Sequence, residues 1–341
     1  MRKGAIAGTL TLLVLGICAI VASLIVRDRL YDPYQGYADA EQFVVIAPGT
    51  GTAAIRRSLV EAGIVRDEFA FRAALWWTGH ALHLQAGEYR FDSPSTAVDV
   101  IERIASGDVH TRPITFPEGL TIAEMAETFE SRGFGAAADF EAAAGDASLI
   151  RSVDVEAVDL EGYLFPETYA LPRDTSASSL VAMMVSRFLD TFDESWRSAA
   201  EEQGLTVRQV ATLASLVEKE TGAPDERPVV AAVYRNRLRI GMLLQADPTV
   251  VYAMRLAGTY AGNIRRSDLA MDSPYNTYRY AGLPPGPIAA PGAAALAAVL
   301  SPADVNYLYF VSRNDGTHAF ARTLAEHNRN VREFQILYFR R

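Results

Sequence analysis

Hydrophobic and polar positions divide the chain into one long apolar segment and a series of short amphipathic elements. Residues 4–26 carry no charged side chain. At about 1.5 Å per residue, a helix of this length spans roughly 30 Å, which matches the hydrocarbon core of a bilayer. The segment therefore predicts an uncleaved membrane anchor in preference to a signal peptide, whose apolar region is shorter. Basic residues on its two sides nearly balance, so the charge pattern leaves the orientation open.

Two similar α+β patterns follow a short tether. Residues 43–46 predict a compact apolar strand, and Thr52 is placed to cap an amphipathic helix. The order of strand, proline-containing turn, threonine cap and glycine stop recurs further on, with Thr121 in the place of Thr52. This weak repeat fits a duplicated unit or the common architecture of small α+β folds. It predicts a small binding or spacer module after the anchor. Residues 178–199 predict one further amphipathic helix.

The best candidate for chemistry is a helix capped by Thr206 that ends in two acids, Glu218 and Glu220. Apolar residues at three- and four-residue spacing form its stripe: Val210, Leu213, Leu216 and Val217. Glu220 continues this stripe, whereas Glu218 points about 200° away. We therefore expect Glu220 to face the core or a cleft, where desolvation and the negative end of the helix dipole raise its pKa.

A carboxylic acid that stays protonated near neutral pH suits the cleavage of a glycosidic bond, because it can donate a proton to the leaving oxygen. The alternative is an acid that ends a helix in a structural salt bridge. The candidate partners for such a bridge are Arg227, Arg235 and Arg237.

Other segments are rich in rings and polar groups. Residues 160–169 contain three aromatic residues, two acids and a proline. Rings stack on the apolar faces of sugars and acids bind hydroxyls, so this segment suits a sugar groove as well as an ordinary core strand. The proline-containing loops at residues 273–278 and 282–288 are further candidates, because such loops carry function more often than packing.

Composition restricts the possible partners. A net charge of −9 argues against a nucleic-acid partner. The single cysteine, Cys18, excludes an intramolecular disulfide and a cysteine-based metal site. His80 and His83 have helical spacing but no HExxH motif, which favours ordinary histidines over a metal site. The sequence therefore predicts neither a metal nor a cofactor.

Taken together, these motifs resemble the endolytic murein transglycosylase family, also called YceG-like. The resemblance covers the anchor and nearly everything from residue 42 to the end, and several motifs in matching order are more specific than any one of them. The matching segments are residues 161–169, 214–221, 236–242, 244–250, 275–278, 282–288 and 317–320.

The resemblance implies an α+β protein of the bacterial inner membrane with its catalytic domain in the periplasm. A cytoplasmic tip at residues 1–3 would precede a transmembrane helix at residues 4–26 and a tether at residues 27–41. A small LysM-like α+β module would occupy residues 42–110, and a mixed α/β catalytic domain residues 111–341. The implied partners are peptidoglycan glycan strands, the inner membrane and peptidoglycan synthases of the penicillin-binding type.

The implied reaction cleaves the bond between N-acetylmuramic acid and N-acetylglucosamine within nascent strands without water. It leaves 1,6-anhydro ends and limits strand elongation. The family's catalytic acid falls on Glu220, in agreement with the helix-face argument. Glu220 would protonate the leaving oxygen and then take the proton of the C6 hydroxyl, so that one acid suffices. The residues expected to bind substrate are Gln245, Asp247, Tyr275, Asn276, Tyr278, Glu161 and Tyr163.

Two other functions fit the same sequence. A hydrolytic muramidase would need a second carboxylate to activate water, for which Glu218, Asp247 and Glu161 are candidates. A non-enzymatic, membrane-anchored scaffold that binds peptidoglycan would need no catalytic acid.

Overall fold

The computed structural model describes residues 12–338 with their side chains, together with the backbone of residues 2–11. Its contacts divide the chain into two compact units. The first comprises Met1–Pro113 and Ala170–Asp174, and the second Ile114–Tyr169 and Thr175–Arg341. Helices predominate, and the strands of the described residues pair into three two-stranded sheets, so the fold class is α+β as predicted.

The first helix, α1, runs over Arg2–Tyr31. Its large apolar side chains between Leu12 and Ile25 are 48–71% exposed, whereas Leu30 at its end is 3% exposed and packs in the core of the first unit. The predicted anchor begins at residue 4, and its first eight residues, 4–11, lie outside the range whose side chains the structure describes. Within the described residues, no helix has both the length and the apolar character needed to cross a membrane.

The first unit builds its core on an antiparallel pair of strands covered by helices. β1 (Gln42–Ile46) pairs with β2 (Gly87–Phe91), with Gln42 opposite Phe91. The helices are α2 (Thr52–Glu61), α3 (Glu68–Thr78) and α4 (Ala97–Ser106). The predicted cap at Thr52 is wrong by one residue: Gly51 is the N-cap of α2, and no side chain caps the helix there.

Strands β3 (Thr111–Thr115) and β4 (Thr168–Pro172) pair with each other and carry the chain between the units. In the second unit β5 (Tyr309–Ser312) pairs with β6 (His318–Ala321) in an antiparallel register. The helices of this unit are α5 (Ile122–Ser131), α6 (Ala137–Ala144), α7 (Ala177–Thr191), α8 (Glu194–Glu202), α9 (Val207–Glu220), α10 (Arg227–Arg239), α11 (Asp247–Leu256), α12 (Ala293–Leu300) and α13 (Leu324–Val331).

The single helix predicted over residues 178–199 is two helices, α7 and α8. The break lies at Asp193, whose side chain accepts the backbone N–H groups of Ser195 and Trp196 and so caps α8. An aspartate that satisfies the free N–H groups of a helix start competes with helix continuation. The apolar pattern that continues through the break hides this signal.

Helix α9 is the central element of the second unit. The side chain of Thr206 accepts the backbone N–H of Gln209, and the side chain of Gln209 accepts that of Thr206, in a capping box. Every residue from Val210 to Val217 is buried, and α9 packs against α8, α10, α11 and α12. The backbone N–H of Ile288 donates to the Ser215 hydroxyl, which fastens the proline-rich loop to the helix. Burial on nearly all sides fixes where the last turn of α9 projects.

Candidate active site

The two acids at the end of α9 have different surroundings. Glu218, with a side chain 5% exposed, forms a salt bridge of 3.2 Å with Arg227. It also accepts the backbone N–H of Gly292 at 3.0 Å. Glu220 instead accepts the hydroxyl of Tyr234 at 2.6 Å and lines an open cavity. Glu218 is therefore a structural ion pair, and Glu220 is the acid that a ligand can reach.

The arginines that offered a structural salt bridge for Glu220 bond elsewhere. Arg227 binds Glu218, and Arg235 donates to Gln203. Arg237 donates to the carbonyl oxygens of Leu308 and Leu244, both at 2.6 Å. The geometry thus gives no support to a helix-closing salt bridge at Glu220.

Burial raises the pKa of Glu220 to about 7, and this is the largest influence on the carboxyl group. The Tyr234 hydrogen bond opposes it, since a donated hydrogen bond stabilises the carboxylate. The negative charge of Asp247 raises this pKa further, while His318 and Arg237 lower it. The result is a carboxyl group that exists in both protonation states near neutral pH, as an acid–base catalyst requires.

The cavity beside Glu220 has a volume of about 380 Å³ and is formed by α9, α10, α11, α13, β5, β6 and the loops around them. Its lining combines two acids, one arginine, two histidines, rings and one amide, the mixture that binds and orients a sugar. The lining residues are Glu220, Arg237, Leu244, Gln245, Asp247, Tyr278, Tyr309, Phe310, Val311, Ser312, His318, Leu324 and His327.

Three of the predicted substrate residues lie in this cavity: Gln245, Asp247 and Tyr278. Gln245 has a φ of 49°, in the left-handed region that a non-glycine residue rarely adopts, and its backbone N–H donates to Thr277. Such strain is typical of functional sites, where the surroundings hold a side chain in place. Tyr278 donates to Asp247 at 2.5 Å, and burial and this bond raise the pKa of its hydroxyl.

Tyr275 and Asn276 lie in the same loop as Tyr278 but do not line this cavity. The buried amide of Asn276 donates to the carbonyl oxygens of Leu269 and Met271, and its oxygen accepts the backbone N–H of Tyr278. Asn276 therefore shapes the loop. The ring of Tyr275 packs against that of Tyr252, with centroids 4.9 Å apart.

Glu161 and Tyr163, also predicted to bind substrate, lie outside the Glu220 cavity. Glu161 lines another cavity, of about 560 Å³, where it accepts the backbone N–H of Ile122 and the hydroxyl of Tyr252. Burial raises its pKa to about 8. The buried hydroxyl of Tyr163 donates to Asp154 at 2.6 Å, which makes it a core contact. The matching motifs therefore did not distinguish residues that line the Glu220 cavity from residues that bond elsewhere in the fold.

The sequence interpretation assigned no role to Tyr234, His318 or His327 and named Arg237 only as a candidate salt-bridge partner, although all four lie at the site. Two of the matching segments, residues 236–242 and 317–320, contain Arg237 and His318 and could have indicated them. Within the part of the chain that the structure describes, no three His, Cys, Asp or Glu side chains converge as metal ligands.

Replacing Glu220 with glutamine is expected to stabilise the protein at high pH. The folded carboxyl has a pKa of about 7 and the unfolded one an ordinary value near 4.5, so the folded state holds a proton that the unfolded state releases. The free energy of unfolding of the wild type therefore falls as pH rises through this window and stays reduced above it. Glutamine lacks this penalty and still accepts the Tyr234 hydrogen bond.

Thermal unfolding at pH 4 and pH 8 measures the effect. We expect Glu220→Gln to raise the melting temperature at pH 8, by roughly 2–4 °C for each kcal/mol recovered, and to change it little at pH 4. Glu194→Gln, at a side chain 83% exposed, is the matched control and should show no such difference. Equal stability of Glu220→Gln and wild type at both pH values would contradict the buried acid.

Comparisons with known proteins show which family this chain resembles. A family model described as the YceG-like family matches residues 44–333. The endolytic murein transglycosylase of Bacillus subtilis (strain 168) is 31% identical over 316 residues, covering 88% of this chain and 86% of that protein. The protein of the same name from Streptococcus pneumoniae serotype 2 is 29% identical, and the match covers 87% of this chain and 59% of that protein.

A solved structure supports the fold. The crystal structure of a YceG-like protein from Listeria monocytogenes aligns with a TM-score of 0.58 and 30% sequence identity, over 86% of this chain and 99% of that one. The family model spans well over half of the chain. The chain therefore belongs to the YceG-like family.

Proposed function

We propose that this chain is a peptidoglycan lytic transglycosylase. It cleaves the bond between N-acetylmuramic acid and N-acetylglucosamine within glycan strands and leaves 1,6-anhydro ends. One observation carries the proposal: Glu220 is an acid with a pKa of about 7 that is held by a hydrogen bond and open to a cavity of sugar-binding character. Relatives named endolytic murein transglycosylase support the reaction class.

Glu220 acts first as a general acid. Tyr234 donates to Oε1, which leaves Oε2 to carry the proton toward the cavity. The proton passes to the oxygen at C4 of N-acetylglucosamine as the bond from that oxygen to C1 of N-acetylmuramic acid breaks. The C6 hydroxyl of the same muramic acid then attacks C1 and gives its proton to a base in the cavity. No water is consumed, so the two products together have the composition of the substrate.

The remaining walls orient the sugar. The Gln245 amide and the Tyr278–Asp247 pair offer donors and acceptors for hydroxyl and acetamido groups. Tyr309 and Phe310 offer ring faces for apolar sugar surfaces. These groups hold the C6 hydroxyl near C1, where an intramolecular attack outcompetes water.

A hydrolytic muramidase is the second candidate, because Asp247 places another carboxylate in the cavity. The Tyr278 hydroxyl donates to Asp247, so one oxygen of this carboxylate is already occupied. The nature of the new glycan end separates the two reactions.

We also propose that the protein is anchored in the inner membrane by residues 4–26, with the chain from residue 27 onward in the periplasm, where it limits strand elongation beside peptidoglycan synthases. The uncharged run and the exposed apolar side chains of α1 support the anchor. We assign residues 42–110, whose paired strands and helices share one hydrophobic core, as a LysM-like module.

Glu220→Gln is expected to lower the release of glycan fragments from purified sacculi by at least about 10²-fold, because the amide cannot donate the proton that general acid catalysis needs. Mass spectrometry of the wild-type products should find 1,6-anhydro ends. Glu194→Gln should retain wild-type activity. Equal release by Glu220→Gln would refute the assignment, and reducing ends with one added water would favour the muramidase.

The rate should fall as pH rises through about 7, because Glu220 must be protonated to act. Tyr234→Phe removes a hydrogen bond that stabilises the carboxylate, so the pKa of Glu220 should rise and the alkaline limb of the pH–rate profile should move to higher pH. Tyr31→Phe, at an exposed tyrosine of the first unit, is the control. An alkaline limb that stays in place in Tyr234→Phe contradicts the role of this bond.

Cell fractionation tests the anchor. The full chain should pellet with membranes and resist an alkaline wash. A variant with Leu15→Arg and Ile20→Arg should shift to the soluble fraction, since each arginine costs about 2.5–3.5 kcal/mol at the centre of a membrane helix. Leu15→Phe with Ile20→Phe keeps the apolar character and should stay in the pellet. Recovery of the wild type in the soluble fraction would exclude the anchor.

A further inference from the structure

Glu226 lies outside the cavity beside Glu220, but it binds His318, a histidine that lines this cavity. Glu226 ends a short 3₁₀ helix, Pro224–Glu226, that follows α9. Its Oε1 accepts the backbone N–H of His318 at 2.8 Å, and its Oε2 lies 2.7 Å from Nδ1 of the same residue. The Thr221 hydroxyl donates to Oε2 at 3.3 Å. Because one carboxylate binds both the backbone and the ring of His318, the ring has a fixed orientation.

This contact also fixes the tautomer. An ionised carboxylate only accepts hydrogen bonds, so Nδ1 of His318 carries the proton, and Nε2 of the neutral ring carries a free lone pair. His318 lines the cavity beside Glu220, while Glu226 does not. Among the described residues, the structure shows a hydrogen bond at Nδ1 of His318 but none at Nε2. The basic nitrogen is therefore available to a ligand in the cavity.

We propose that His318 is the general base that removes the proton of the C6 hydroxyl, and that Glu226 is its positioning residue. This assignment rests on the transglycosylase reaction proposed above and divides its proton transfers between two residues. The proton of Glu220 goes to the leaving oxygen as the C1–O4 bond breaks. The C6 oxygen forms its bond to C1, and its proton goes to Nε2 of His318. The imidazolium, paired with Glu226, later returns a proton to the Glu220 carboxylate through solvent, which restores the resting state.

The other candidate bases in the cavity are less well prepared. Asp247 accepts the Tyr278 hydroxyl. His327 stacks on Tyr309 with centroids 5.2 Å apart, and its buried Nδ1 has no hydrogen-bond partner among the described residues, so nothing fixes its tautomer. His318 has a carboxylate behind the ring and rings beside it, with the centroid of Phe310 at 5.5 Å and that of Phe320 at 6.3 Å.

The division of roles predicts a particular pH dependence. A single carboxyl group that acts as both acid and base needs only to start protonated, so the rate would have an alkaline limb alone. A separate histidine base must also start neutral, which adds an acid limb and makes the profile bell-shaped. The titratable and charged groups that line the cavity or contact the ring are Glu220, Glu226, Arg237, Asp247, Tyr278, Tyr309 and His327.

His318→Asn tests the base directly, because the asparagine amide can replace Nδ1 as the donor to Glu226 but has no counterpart of Nε2. With purified sacculi and the full chain, we expect kcat to fall about 10²–10⁴-fold with a small change in KM. The acid limb should disappear. The share of hydrolysed reducing ends among the products should rise, because water intercepts C1 when the C6 hydroxyl lacks its base. His83→Asn, at an exposed histidine of the first unit, should behave as wild type.

Glu226→Gln tests the positioning residue and serves as the test if His318→Asn fails to fold. It keeps the ring in the cavity but removes the charge that stabilises the imidazolium, so the acid limb should move to lower pH and kcat should fall. A wild-type profile without an acid limb, or variants with an unchanged profile and product ratio, would overturn the assignment of His318. A wild type that makes no 1,6-anhydro ends would instead overturn the proposed reaction.

Discussion

The site depends on the hydrogen bond from Tyr234 to Glu220. Burial alone would favour the neutral acid so strongly that it would be a weak proton donor. The bond of 2.6 Å and the charge of Arg237 favour the anion and hold the pKa of Glu220 near 7. Burial and the nearby carboxylate raise the pKa of Tyr234 well above its usual value, so the tyrosine remains a donor at every relevant pH. At the protein surface, water would compete for this hydrogen bond and weaken its effect on the pKa of Glu220.

The same face of α10 builds two further walls of the site. Arg237 lies three residues after Tyr234, one turn along the helix. Its guanidinium joins the carbonyl oxygens of Leu308, before β5, and Leu244, before Gln245. One face of α10 thus positions Glu220, strand β5 with its aromatic rings, and the strained loop that carries Gln245. A substitution at Arg237 would loosen both β5 and the Gln245 loop. A substitution at Tyr234 would instead act directly on Glu220.

How far the sequence predicted this site depends on the range of the interactions. The choice of Glu220 over Glu218 came from helix geometry, a local property, and the structure places the two acids as that argument expected. Its premise was too simple, because α9 is buried on nearly every side and has no single apolar stripe. Glu161 contacts Ile122 and Tyr252, which are distant in the sequence. Asn276 and Tyr163 bond to residues within nine positions, through loop geometry that the sequence motif does not show. A motif shows that a residue matters without showing whether it contacts a ligand or a neighbouring side chain.

The link between Glu220 and the Glu226–His318 contact shows how a local turn can organise a long-range site. Thr221 leaves α9 in an extended conformation, its hydroxyl accepts the N–H of Ala223 and donates to Glu226, and the 3₁₀ turn follows at once. Glu226 therefore follows Glu220 by six positions, and one compact turn sets the spacing of the two acids. Only His318 must come from far along the chain, as the first residue of β6. Because Glu226 binds both its backbone and its ring, the contact that docks the strand also sets the tautomer. The same carboxylate thus docks β6 and orients the ring of His318, so a mutation that loosens β6 would also release the base proposed above.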